Sequence, residues 1–116
     1  MSLAKNFALL LGAVLTIVGI LGFVLPSPLL GFFEVDTMHN IVHIASGLIG
    51  IWAAMSGPNA AKMFLIVFGV VYGVVAALGF LTASPLLGLI HVNPADNWLH
   101  SAIAVACLYV GVTAKK

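Results

Sequence analysis

The sequence predicts an all-α integral membrane four-helix bundle, built as two tandem parallel helical hairpins. Three observations lead there. Of 116 residues, 63% are hydrophobic and only 6% are charged, with a mean hydropathy of +1.25, whereas a soluble domain carries roughly 25% charged residues. A chain this small must expose much of its surface, so its solvent is expected to be lipid. Second, four apolar segments follow one another, each about 20 residues long, enough to cross ~30 Å of hydrocarbon as a helix. Third, the stretch Gly22–His43 (GFVLPSPLLGFFEVDTMHNIVH) returns 57 residues later as Gly79–His100 (GFLTASPLLGLIHVNPADNWLH), with 10 identities in 22 positions.

The expected spans run from about Leu3 to Val24, Thr37 to Met55, Ala60 to Leu81 and Pro94 to Ala114. They form one membrane domain, 1–116, with repeat one at about 3–56 and repeat two at about 59–114. The first span is the repeat mate of the third and lacks a small-x-small cleavage site, so it reads as a span and not as a signal peptide. Ser56-Gly57-Pro58-Asn59 reads as a tight turn with Asn59 as the N-cap of helix three. Asp36 reads as the cap of helix two. Asn93-Pro94-x-Asp96 supplies cap, first-position proline and first-turn acid to helix four. Between helices 1 and 2 and between helices 3 and 4, Ser27-Pro28 and Ser84-Pro85 read as the caps of short interfacial PLLG helical turns, ended by Gly31 and Gly88. Such apolar turns need partners for their backbone polar groups, and the bundle can supply them.

Charge gives the expected orientation. Lys5, Lys62, Lys115 and Lys116 fall on one side of four spans, and Glu34, Asp36 and Asp96 on the other. Lysine concentrates on the cytoplasmic side. Both termini are therefore expected in the cytoplasm, with the PLLG turns and all four histidines facing outward. Each repeat has two spans, so both copies enter the membrane in the same sense, about a pseudo-two-fold axis along its normal. This parallel relation differs from the inverted repeats of many transporters. There is no basic patch for nucleic acid. Cys107 is alone, which excludes an intrachain disulfide and a cysteine-rich metal cluster, and it reads as a small core residue.

Steps of three and four along the spans select mostly small residues. Gly12, Leu15, Gly19 and Gly22 lie on helix one. Asn40, His43, Gly47, Gly50 and Ala54 lie on helix two. Gly69, Tyr72, Ala76 and Gly79 lie on helix three, and Asn97, His100, Ala104, Cys107 and Gly111 on helix four. In lipid, such seams let helix backbones approach closely. Gly69-x-x-x-Gly73 reads as a second small face, suited to another helix or a second copy of the chain. A homo-oligomer or a larger membrane complex is accordingly expected.

The outer end of the seam is polar. His39 and His43 share one helical face, as do Asp96 and His100. His91 stands in the second turn where the first has Glu34. If helices two and four approach, His39, His43, Asp96 and His100 form an acceptable set for zinc or a similar divalent metal. His43 and His100 would serve as an axial pair for haem, although seams of Gly and Ala leave little room for a porphyrin. The bland reading is a structural clasp. Asn40, Asn97, the histidines and Asp96 lie in the first two turns of their helices, where they can satisfy the backbone groups of the PLLG turns. The hydrocarbon centre holds no Asp, Glu, Lys or Arg, so an ion-coupled antiporter is not expected. Thr16, Ser46, Tyr72 and Ser101 can bond locally to helix carbonyls. No nucleophilic triad or phosphate loop is present. Trp52 and Trp98 stand near opposite membrane interfaces.

Two blocks, LLGFFEVDTMHNIVHIASGLIGIWAA (29–54) and HVNPADNWLH (91–100), resemble the bacterial membrane family catalogued as domain of unknown function 4383. The resemblance implies four spans and marks His39, Asn40, His43, Asp96, Asn97, Trp98 and His100 as signature positions. It implies no activity, substrate or cofactor. The leading expectation is a non-enzymatic structural or accessory protein of the bacterial cytoplasmic membrane, with the Asn/His/Asp cluster clasping the two turns. The alternatives are a metal- or haem-binding redox protein that uses the same cluster, and a small-molecule permease, which would need a continuous cavity along the axis.

Overall fold

The computed structural model describes residues 2–27, 29, 31, 33, 36–82, 84–86, 88 and 90–115. Four helices follow in order: α1 (Leu3–Val24), α2 (Thr37–Ser56), α3 (Pro58–Leu81) and α4 (Pro94–Thr113). Among the described residues there is no strand. Each helix start has a local cause. Ser2 Oγ accepts from the Lys5 amide at 3.3 Å to open α1. Asp36 Oδ1 accepts from the His39 amide at 2.8 Å to open α2. Asn93 and Asp96 form a reciprocal capping box at the start of α4.

The start of α3 differs from the expectation. Asn59 is not the cap. Gly57 is, with φ +126°, and Pro58 takes the first helical position. Proline lacks the amide that would be orphaned there and has its φ preset for the helix, while Gly57 adopts a backbone conformation closed to most side chains.

The turns between α1 and α2 and between α3 and α4 also differ. Each is closed by one antiparallel bridge, and in the second the Gly88 amide also donates to the Pro85 carbonyl at 3.1 Å. Leu29 and Phe33 exchange backbone bonds of 2.6 and 3.1 Å, and Leu86 and Ile90 exchange bonds of 2.7 and 3.2 Å. Gly31 (φ +79°) and Gly88 (φ +72°) supply the left-handed residue that reverses the chain. This reversal turns Leu29 and Leu86 into the protein, where both are buried. Ser84 does not cap a helical turn, and its Oγ accepts from the Val92 amide at 3.0 Å. The expectations placed on Pro28, Leu30, Glu34, Val35, Leu87 and Lys116 lie outside the described residues.

Packing follows the small seam. α1 packs chiefly on α2 and α3 on α4, while α3 also meets α1 and α2. The Cα atoms of α2 and α4 stay more than 8 Å apart, so only side chains bridge that diagonal. Gly12 and Gly47 press backbone to backbone: a Cβ on Gly12 would lie 2.7 Å from the Gly47 carbonyl oxygen, and one on Gly47 would lie 2.6 Å from that of Gly12. Gly19 and Gly50 lie equally close to Ile44 and Phe64.

The face of Gly69 and Gly73 is taken by another helix of the same chain, α4. Gly69 is buried against Leu108 of α4, and the nearest atom to a Cβ on Gly73 is the Ala104 Cβ, at 3.7 Å. Both glycines therefore look toward α4. The bundle is apolar at the lysine end, where Ala4, Ala8, Ala53, Ala61, Phe64 and Leu65 belong to one buried cluster. There Lys62 Nζ donates to the Ala114 carbonyl and ties α3 to the end of α4. Leu15, Tyr72 and Ala104 fill the middle. Leu10, Val24, Met55, Leu81 and Val112 point outward, each more than 60% exposed. Three helices, α1, α2 and α3, are long and apolar enough to cross a membrane.

Candidate functional site: a buried histidine cluster at the polar end

At the end opposite the lysines the core becomes polar. His39, Asn40 and His43 of α2 and Asp96, Asn97 and His100 of α4 are all at least 95% buried. Buried polar groups at that depth cost free energy unless they are paired, so their partners define the site.

The two asparagines do one job twice. The Asn40 side-chain oxygen lies where a Cβ on Gly22 would stand, at 1.9 Å from that position, and Asn97 does the same at Gly79. Each oxygen therefore faces a glycine Cα–H, the arrangement of a weak Cα–H···O contact. Only glycine admits it. The contact fastens α1 to α2 and α3 to α4 near the ends opposite the lysines.

The capping groups differ between the two halves. Asp96 Oδ2 accepts from the Asn93 amide and Asn93 Oδ1 from the Asp96 amide, both at 2.9 Å. Asp96 is thus engaged in its own helix start. At the same place in α2 the third residue is His39, so no such box forms, and the cap itself is Asp36, whose carboxylate has a second oxygen where Asn93 has an amide nitrogen. The partner of that oxygen is His91, 55 residues away: Asp36 Oδ2 accepts from the His91 amide at 2.8 Å and pairs with its ring Nδ1. Burial raises the Asp36 pKa, but the His39 amide, the His91 ring and amide, and the His91 charge together outweigh it and hold the carboxyl below its ordinary value. The His91 carbonyl accepts from His39 Nδ1 at 3.1 Å. A carbonyl can only accept, so Nδ1 of His39 carries the proton and its lone pair lies on Nε2.

The ring of His39 then reaches the bundle axis. Its centroid lies 4.4 Å from that of His43 and 5.6 Å from that of His100, and His43 and His100 are 6.3 Å apart. One nitrogen from each of the three rings falls within 4.8 Å of the others. Tyr72 stacks on His100 at 5.6 Å and 7°. The Nδ1 atoms of His43 and His100 are buried without a hydrogen-bond partner, while the Tyr72 hydroxyl faces Ser46. These side chains, with Ser46, Val71, Val75 and Ile90, line a cavity of about 40 Å³.

Of the expected site residues, His39, His43 and His100 come together. Asp96 stays outside that group of ligand atoms, because its carboxylate closes the capping box. Asn40 and Asn97 serve the helix contacts. The Asp36–His91 bond, the His39–His91 bond and the stacked Tyr72 were not anticipated. Their signal lay in the places where the repeat breaks: Asp36 against Asn93, His39 against Asp96, and Leu15 against Tyr72.

No curated protein and no solved structure matches the chain. One family model does, over residues 5–113. The chain accordingly belongs to the family described as domain of unknown function (DUF4383).

Proposed function

We propose that this protein is a structural or accessory component of the bacterial cytoplasmic membrane, with four spans, cytoplasmic termini and an outer clasp that holds its second turn onto α2. The observation that carries the reading is the Asp36 carboxylate. It caps α2 with one oxygen and takes the amide and ring of His91 with the other. One side chain thus couples two segments 55 residues apart. Bonds from a charged acceptor are worth roughly 1.5–3 kcal/mol where they are buried, and less at this partly exposed pair.

The fourth span is supported by the faces of α4. Its polar residues Asp96, Asn97 and His100 are buried against the bundle, whereas Trp98, Val105, Tyr109 and Val112 are each more than 60% exposed. Polar groups lower the average hydropathy of α4 without facing lipid, as expected of a helix whose polar residues are used inside a membrane bundle. The lysine distribution supports the orientation, and the paired glycine–asparagine contacts support the two-hairpin repeat. A permease is less well supported, because Leu15, Tyr72 and Ala104 pack together below the polar cavity. A haem protein is less well supported too, since about 40 Å³ is far below the several hundred cubic ångströms of a ligand pocket.

The clasp is tested by a double-mutant cycle of Asp36→Ala and His91→Ala, read as thermal stability of the full chain in nanodiscs. The expected result is a coupling of about 0.5 kcal/mol between the two substitutions. Additive effects would remove the basis of the reading.

A further inference from the structure

We infer that His39, His43 and His100 hold one zinc-type divalent ion at the outer end of the bundle. The inference rests on the imidazole geometry and takes only the outer support of His39 from the clasp. Three observations lead to it.

The first is the donor set. Three neutral imidazoles with one open position form a familiar zinc arrangement, and imidazole suits this class of borderline metal. The three nitrogens lie within 4.8 Å of one another. Tetrahedral zinc at 2.0–2.1 Å needs ligand nitrogens ~3.3 Å apart, so modest ring rotations toward the cavity close the site.

The second is the outer support. A metal-bound histidine usually donates its other N–H to a carbonyl or carboxylate, which fixes the tautomer. His39 already does so through Nδ1 to the His91 carbonyl, and that orientation directs the lone pair of Nε2. The carbonyl itself is held by the bond from the His91 amide to Asp36.

The third is the unmet demand. His43 is 95% buried and His100 98% buried, and each has an Nδ1 without a hydrogen-bond partner. Both line the same cavity, as does Tyr72. A buried polar atom left unmet costs about 1–3 kcal/mol, and a bound ion with its water would satisfy the rings that provide ligands.

Electrostatics permits the ion. The site lies beside the N-termini of α2 and α4, whose partial positive charges disfavour a cation. Asp36 and Asp96 sit on those termini and offset them. The cavity of about 40 Å³ suits an ion with a water and excludes a larger cofactor.

The test uses the full chain with a histidine-free tag in nanodiscs, stripped with chelator and then titrated with Zn²⁺ or Co²⁺. The expected result is one ion per chain after desalting, visible Co²⁺ ligand-field absorption of a low-coordinate nitrogen site, and a higher melting temperature with Zn²⁺. His43→Ala and His100→Ala should each weaken binding by more than the roughly 10–100-fold typical of an outer-shell change. His91→Ala, which keeps the backbone carbonyl, should retain the absorption. Should the His43 or His100 variants fail to fold, the wild-type titration decides alone. No uptake by folded wild-type protein would overturn the assignment, as would uptake of copper without zinc or cobalt, or equal loss in His91→Ala. Failure here leaves the Asp36–His91 coupling untouched, and an additive cycle at Asp36 and His91 leaves a metal titration intact.

Discussion

His39 and Asp96 occupy the same place in the two halves, third residue of the helix after the cap, and they do opposite work. Asp96 turns back on its own helix and completes a capping box with Asn93. His39 cannot accept in that way, so its ring leaves the helix start and extends to the bundle axis, beside His43 and His100. The cap differs as well: Asp36 stands where the second half has Asn93, and its second carboxylate oxygen is taken by His91 of the opposite half. Two exchanges of residue type, Asp36 for Asn93 and His39 for Asp96, convert a self-contained helix end into a cross-link between halves. The second exchange also raises the central histidines from the matched pair, His43 and His100, to three.

A second contrast lies deeper. α1 and α2 touch through two glycines, Gly12 and Gly47, whereas the matching pair on α3 and α4 is Gly69 and Ala104. The first hairpin is therefore the closer backbone contact and has less tolerance for added volume.

These contrasts can be broken in order of expected effect. Gly47→Ala places a Cβ 2.2 Å from Thr16 Oγ1 and 2.6 Å from the Gly12 carbonyl oxygen, so the helices must separate. A loss of about 3 kcal/mol or a failure to fold is expected, against roughly 1 kcal/mol for Ala104→Gly at the matching place. Gly22→Ala and Gly79→Ala both strike an asparagine oxygen at 1.9 Å. Each should cost about 1–3 kcal/mol, and the two costs should agree, since here the halves do not differ. Melting temperatures of purified protein in detergent check all four. Unequal losses at Gly22 and Gly79 would sharpen the comparison by exposing an asymmetry in the asparagine contacts.

The smallest effect is acid sensitivity. The folded Asp36 carboxyl lies below its ordinary value of 3.8. Its stabilisation is complete above that value and disappears as pH falls through the lower folded value. Thermal stability should therefore drop in the acid range below about pH 4, and Asp36→Asn, which keeps a capping oxygen, should flatten that drop. An identical acid profile in the variant would contradict this assignment.

Much of the fold was legible because lipid makes helix periodicity and small-residue seams unambiguous. The buried sets on α1 to α4 include Gly12, Leu15 and Gly19, then His43, Gly47 and Gly50, then Gly69, Tyr72 and Ala76, then His100, Ala104 and Cys107, on the expected faces. The turns were less legible. Ser-Pro-Leu-Leu-Gly starts like a capped helical turn, and only the pairing of Leu29 with Phe33 and Leu86 with Ile90 closes it differently. The meeting of His39, His43 and His100 could be named from spacing on each helix. What could not be named was the distance across the bundle, because α2 and α4 approach only through side chains. Asp96 was grouped with the histidines on helical spacing alone, which does not reveal that a capping box would take its carboxylate first.

The central claim is that Asp36 holds the second turn onto α2, and amide hydrogen exchange in nanodiscs tests it most directly. In the wild-type chain the His91 amide should be protected, and Asp36→Ala should lose that protection while the centres of α1 and α3 keep theirs. Equal exchange at 90–93 in both proteins would contradict the clasp.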